Sequence, residues 1–326
     1  MRLFRLAQSP RDLADNVIGR LSESFAYIAG VVGSDELRRH LLFVAGRLCA
    51  LRVVPPQLGC LYLRIVDAVE SGDEPEGIRL CGRLTEILSR SWTLEVAPYS
   101  REELGDFYEG FAEVLFDESY GKQPIAEPPE PIWLAARGHF ERGLALVREF
   151  DPAFFLEIEA LWSRIYIGVG NPDSGKSGFG GVTSLVLWGG TFANAEHYNS
   201  EIKAAEFLVH EVTHALLFAA GCDEPLVLNP PDEVFPSPLR KDLRPMDGIF
   251  HAALVCARVA GFYEILREAK ADLPVDEETL GQCRDANARK FLQGYATIKE
   301  SGRLSPLGED FLEQANASVK ALRNGG

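Results

Sequence analysis

Residues 204–221, AAEFLVHEVTHALLFAAG, constrain this chain more than any other segment. Apolar side chains occur nearly all the way round the helix this stretch predicts, so that helix should be buried. After Glu206 its only polar side chains are His210, Glu211, Thr213 and His214. Burying two imidazoles and a carboxylate costs on the order of several kcal/mol unless something satisfies them. A four-residue spacing stacks His210 and His214 on one helix face about 6 Å apart. From there both can reach one cation. Glu211, one step round the helix, can reach the same ion or its water. The bland alternative is a pair of core histidines bonded to backbone. The helix is expected over 201–220, with Asn199 or Ser200 as N-cap and Gly221 just past its end.

An HExxH pair needs a third ligand. The metzincin pattern would put it at position 220, which is Ala220 here, so that family is excluded. Glu233 lies in a proline-rich loop, Glu224 follows His214 closely, and Glu264 sits on the next predicted helix, 247–270. That helix also carries His251, 37 residues after His214, inside the apolar run GIFHAALVCARV. A polar side chain there needs a reason, and His251 is the expected third ligand. Asp247, one turn earlier, is an alternative ligand or a group that orients the imidazole. His40 and His139 read as solvated, and His197 in NAEHYN as a capping or surface residue.

The 326 residues include 33 Lys and Arg against 48 Asp and Glu, a net charge of −15. So acidic a surface repels phosphate backbones and anionic lipid, which disfavours nucleic-acid and membrane partners. A neutral or basic peptide suits the sign. None of the six cysteines forms a CxxC pair, and most sit in apolar runs, so buried reduced thiols are expected. Charge and Pro10 interrupt the N-terminus before a signal-type apolar run develops, and no uninterrupted apolar stretch approaches the roughly 20 residues that span a bilayer. Together these point to the cytoplasm.

The fold expected is mainly α with a small antiparallel β element (α+β), the HExxH helix lying buried beside a β hairpin. Residues 10–90 carry apolar residues at three- and four-residue steps, the signature of amphipathic helices. SWTLEVAP (91–98) reads as a short strand, and the proline- and acid-rich 117–131 as a linker. This divides the chain into 1–125, an N-terminal helical region with a possible peptide-binding role, and 126–326, the metal-binding region. RIYIGVG (164–170) and VTSLVLW (182–188) read as strands that pair antiparallel and border a substrate cleft. An extended peptide could add to that edge as another strand. The closing helix should be capped by Ser305 with Pro306 in its first position.

HEVTHALLFAAG followed by SPLRKDLRPMDGIFHAALVCARV resembles the α-ketoglutarate-dependent HExxH-type peptide β-hydroxylases, also described as HExxH-motif peptide modification proteins. DPAFFLEIEALWSRIYI upstream and LSPLGEDFLEQ near the end add to the likeness, which covers residues 130–320. The resemblance implies oxidation by Fe(II), O2 and α-ketoglutarate, with hydroxylation of a side-chain β-carbon in a ribosomally synthesised precursor peptide. It implies that His210, His214 and His251 hold the iron, with Asp247 and Glu211 as alternatives, because the usual triad of such sites has two His and one carboxylate. The cosubstrate's distal carboxylate wants a bidentate guanidinium. Arg240, Arg244 and Arg258 are the candidates, Arg244 first.

A zinc metallopeptidase is the main competing reading, with Glu211 as the general base on zinc-bound water. Zinc would also displace iron during purification, so its presence would not decide between the two. Residues 170–177, GNPDSGKS, fit the P-loop pattern letter for letter. The motif needs a helix opening at its end, and the glycines that follow make a hairpin loop the expected structure. A closed structural zinc would normally take four protein ligands, and only three good candidates exist.

Overall fold

Regular apolar spacing makes most of the chain helical, and short runs of β-branched and aromatic residues supply a few strands. The computed structural model describes residues 9–114, 125–170, 180–237, 242–269 and 273–324. The protein is mainly α with small β elements, including a two-stranded antiparallel sheet. The chain divides into two compact units, one of residues 10–143 and 156–204, the other of residues 1–9, 144–155 and 205–326.

In the first unit the helices α1 (Pro10–Val31), α2 (Asp35–Leu48), α3 (Leu58–Glu70) and α4 (Glu74–Leu88) follow from the expected pattern. Local chemistry sets their ends. Ser34 accepts the Leu37 N–H at the start of α2, and Asp73 accepts the Glu76 N–H at the start of α4. Gly72, at φ 73°, makes the turn between α3 and α4. After them come β1 (Glu95–Pro98), α5 (Arg101–Leu104), α6 (Phe107–Val114), β2 (Ile125–Ala126), β3 (Arg164–Gly170), β4 (Gly181–Val182) and β5 (Gly190–Asn194). The sheet runs β1-β3-β5-β4, with β2 antiparallel to the end of β3. β5 is buried throughout and β3 nearly so, as central parallel strands must be.

The expected antiparallel pairing of 164–170 with 182–188 does not form. β3 is flanked by β1 and β5, both parallel to it, so it offers no free edge to an incoming peptide. Of the second segment only Val182 is strand, at the end of β4 and antiparallel to β5. Ser184 then accepts the Val186 N–H and starts a 3-10 turn, Leu185–Leu187. Gly189, at φ 100°, passes so close to Val54 that a Cβ there would stand 2.4 Å from its carbonyl oxygen. That reversal needs glycine, and it delivers β5 to β3 in parallel. Strand-forming residue types reveal nothing about such long-range direction.

The second unit includes most of α9 (Glu201–Ala220), the antiparallel hairpin β6 (Val234–Pro236) and β7 (Leu243–Pro245), then α10 (Met246–Ala269), α11 (Glu277–Ser301) and α12 (Pro306–Asn324). Ser200 accepts the Lys203 N–H before α9, and Ser305 accepts the Gly308 N–H before α12. α10 is the one described helix long and apolar enough to cross a bilayer, and 83% of that apolar stretch is buried inside the protein. It is the core helix around which this unit packs. The backbones of α10 and α11 approach closely at Gly294, where a Cβ would lie 2.9 Å from that of Ala253. The segment that leaves α9 is pinned to the α11–α12 turn. Asn229 accepts the Arg303 N–H at 2.7 Å, and Arg303 grips Glu233 with two contacts of 2.8 and 2.9 Å.

Glu264 on α10 is 4% exposed and accepts two hydrogen bonds from Arg267, at 2.7 and 2.8 Å, and one from Arg284 of α11 at 2.8 Å. The bonds from Arg267, with help from Arg284 and against the effect of burial, hold its pKa below the usual carboxylate value. Glu264→Gln should lower stability by about 3 kcal/mol at neutral pH, since it leaves two arginines without their anion. The carboxylate's pKa is depressed in the folded state, so its contribution is present above about pH 4.3 and lost as pH falls through the folded value. Urea denaturation should therefore separate variant and wild type at neutral pH and bring them together in acid. Equal midpoints at neutral pH would show that this network does not hold α10 to α11.

Candidate metal centre

α9 turns residues 206, 210, 214 and 218 onto one face, because a four-residue step returns nearly to the same direction. The ring centroids of His210 and His214 are 5.2 Å apart. His251 approaches from α10, with its ring 5.6 Å from that of His214 and nearly parallel to it, at 16°. The two Nδ1 atoms are 3.3 Å apart. Phe218 covers the other side of His251 at 5.0 Å between centroids. His251 is 6% exposed, His214 is half-buried and His210 is exposed. Glu211 is buried beside them, at 6% exposure.

Burial pushes the His214 pKa well below its usual value, and the neighbouring His210 and His251 push it the same way. Burial also lowers that of His251, opposed by Asp247. Both rings are therefore neutral at physiological pH, the form that offers a nitrogen lone pair. Two nitrogens each about 2.1 Å from one ion, subtending roughly 90–109°, lie about 3.0–3.4 Å apart. The observed 3.3 Å falls in that range. An N–H···N hydrogen bond between the rings has a similar length, which is how the pair is satisfied without an ion. Among the described residues no three His, Cys, Asp or Glu side chains are already set around a single point. His210 is the exposed member of the three.

The other ligand candidates are placed as follows. Asp247 Oδ1 lies 3.8 Å from His251 Nε2, one turn earlier on α10, and is mostly exposed. Glu264 is occupied by Arg267 and Arg284, and Glu233 by Arg303. Glu224 is exposed. Among the arginines, Arg244 is on β7, half-buried and ion-paired to Asp242 at 2.7 Å. Arg258 is fully buried two turns beyond His251, its guanidinium 4.1 Å over the Phe154 ring. Arg240 lies outside the described residues, as do residues 171–177 of the P-loop-like stretch. His197 is exposed, and His139 sits 3.0 Å from Arg142 in the other unit. All six cysteines are free thiols; Cys60, Cys81 and Cys256 are buried, Cys283 is half-buried, and Cys49 and Cys222 are exposed.

Three neighbours of the cluster escaped the sequence reading: Phe218, Glu206 and Tyr263. The first two continue the four-residue stripe through His210 and His214, so helical spacing alone could have found them. Tyr263 donates to Glu206 at 2.7 Å from α10, and no local pattern marks such a partner.

Compared with models of known protein families and with curated proteins, the chain matches none.

An ion held by this cluster should be lost on removing any of three side chains. Titration with Co(II), followed by its visible absorption, should give at least about 100-fold weaker binding in His210→Ala, His214→Ala and His251→Ala. His139→Ala and His197→Ala should bind as wild type does. Retained affinity in His251→Ala would remove α10 from the centre.

Proposed function

We propose that the protein is an Fe(II)- and α-ketoglutarate-dependent oxygenase that hydroxylates the β-carbon of a residue in a ribosomally synthesised precursor peptide. The observation that carries this reading is the approach of His251, from a second helix, to within 3.3 Å of His214. Two helices then offer three imidazoles to one ion. Three protein ligands leave half of an octahedral sphere open. The three histidines would hold the iron and leave room beside it for α-ketoglutarate and O2. Bound iron, with these two cosubstrates, supplies oxidation of C–H to C–OH, while α-ketoglutarate ends as succinate and CO2. The likeness of HEVTH and RPMDGIFH to the HExxH-type peptide β-hydroxylases supports the same assignment.

The chain's own residues have distinct tasks in this reading. His210, His214 and His251 hold the metal, and Phe218 walls one side of His251. Asp247 can fix the orientation of the His251 ring from one turn away. Glu211, buried next to His210, can keep a proton or a polar atom beside the ion. Arg244, on the strand that runs directly into α10, is our choice for the distal carboxylate of α-ketoglutarate, which would replace Asp242 as its partner. Arg258, packed against Phe154, is the second choice. The assignment places the enzyme in the cytoplasm, where free thiols and Fe(II) persist.

The competing reading is a zinc peptidase, and the burial of Glu211 beside His210 is what favours it, since a general base acts from there. Against it, Glu264 of the following helix is already held by two arginines.

The products decide. Anaerobic loading with Fe(II) and α-ketoglutarate should give a visible charge-transfer band, and exposure to O2 with the precursor peptide should give peptide carrying one added oxygen together with succinate. Cleaved peptide without succinate would establish the peptidase instead. Arg244→Ala should raise the α-ketoglutarate requirement by about 10-fold or more while leaving the metal bound, the loss expected for one charge-assisted contact. Wild-type behaviour would take Arg244 out of the cosubstrate site.

A further inference from the structure

The first unit carries a local charge opposite in sign to that of the whole chain. The net charge is −15, yet a pocket of about 350 Å³ beside the ends of α2 and α4 is lined by Arg47, Arg52 and Arg90 and by no acidic residue. Arg47 stands in the last turn of α2, Arg52 in the turn that follows, and Arg90 just past the end of α4. All three are exposed, and among the described residues none of them has an ion-pair partner. Arg47 reaches the Leu88 carbonyl only at 3.5 Å. Helix C-termini attract cations, which is the plainest use for arginines in these positions. Each such end is worth about −0.5 charge, so the two together offset about one guanidinium of the three. The remaining positive charge has no counterpart in the pocket.

Two parts of the pocket are held in place. The Trp92 indole donates its N–H to the Ile87 carbonyl at 3.0 Å, and the Arg164 guanidinium lies 5.0 Å from its ring centre. Arg11, paired to Asp15 on α1, donates to the carbonyls of Leu51 and Arg52 and so fastens the turn that carries Arg52. Leu51, Leu88 and Trp92 supply apolar surface between the charges. Arginine and tryptophan dominate the energetics of protein recognition, and the guanidinium fork matches a carboxylate at two points. We propose that this pocket binds an acidic peptide segment, the arginines taking its carboxylates and Leu51, Leu88 and Trp92 the apolar residues between them. Charges elsewhere on the molecule are screened beyond about 8 Å at physiological ionic strength, so a short segment feels mainly the arginines. A long polyanion would also lie over the acidic surface and be repelled there. The inference is independent of the metal reading, since the pocket belongs to the first unit and His210, His214 and His251 to the second.

Fluorescence anisotropy of the full chain with a labelled peptide rich in Glu and Leu tests this, with a Lys- and Leu-rich peptide and inorganic phosphate as comparisons. The acidic peptide should bind, and more weakly as salt is raised. Arg52→Ala and Arg90→Ala should each weaken binding by about 10-fold, the loss expected for one charge-assisted contact, and the double variant by more than either. Arg289→Ala, the same change of charge on α11, should bind as wild type does. His214→Ala should also bind normally, which separates this outcome from that of the metal reading. Arg52→Gln and Arg90→Gln, which keep much of the side chain, give the same reading should the alanine variants fold poorly. Wild-type affinity in the double variant would overturn the proposal, as would no binding at all or equal binding of the basic peptide. Phosphate that binds as tightly as the acidic peptide and displaces it would make the pocket a phosphate site, and would overturn the proposal as well.

Discussion

The second unit is organised around a polar problem inside an apolar pair of helices. α9 and α10 bury most of the side chains they carry, and between them stand neutral imidazoles that water cannot fully reach. An unsatisfied polar group in such a place costs about 1–3 kcal/mol, so the rings must find each other or share an ion. They do meet, at 3.3 Å, and the meeting fixes which faces of the two helices look inward.

That arrangement is held from outside the cluster. Two arginines fasten Glu264 to its own helix and to α11, adding to the close packing of α10 against α11. The chain between His214 and His251 is long, and closing it costs entropy that grows slowly with length. The grip of Arg303 on Glu233, and of Asn229 on the Arg303 backbone, shortens the free part of that loop.

Much of this was legible in the sequence wherever the cause is local. α9 ends within a residue of its predicted limits because Ser200 and Gly221 supply the start and stop. α12 opens at Pro306 with Ser305 capping it, for the same kind of reason. His251 could be singled out because one polar residue in an apolar run is conspicuous. What could not be read was direction and exposure. The stretch after Thr183 has strand-forming residues but bends into a 3-10 turn, and Gly189 sends the chain back parallel to β3. His210 looked as buried as His214 in a helix that is apolar nearly all round, yet it is exposed. Both outcomes depend on neighbours far along the chain. Cys49 likewise sits in an apolar run and yet is exposed.

The close approaches in the second unit have a consequence for tracing kinship. A Cβ at 308 would stand 2.2 Å from the carbonyl oxygen of Leu226, and one at 294 would meet Ala253 at 2.9 Å. Any descendant that kept this packing would have to keep glycine at both places. A distant cousin would therefore betray its ancestry through two glycines, long after the rest of its sequence had drifted.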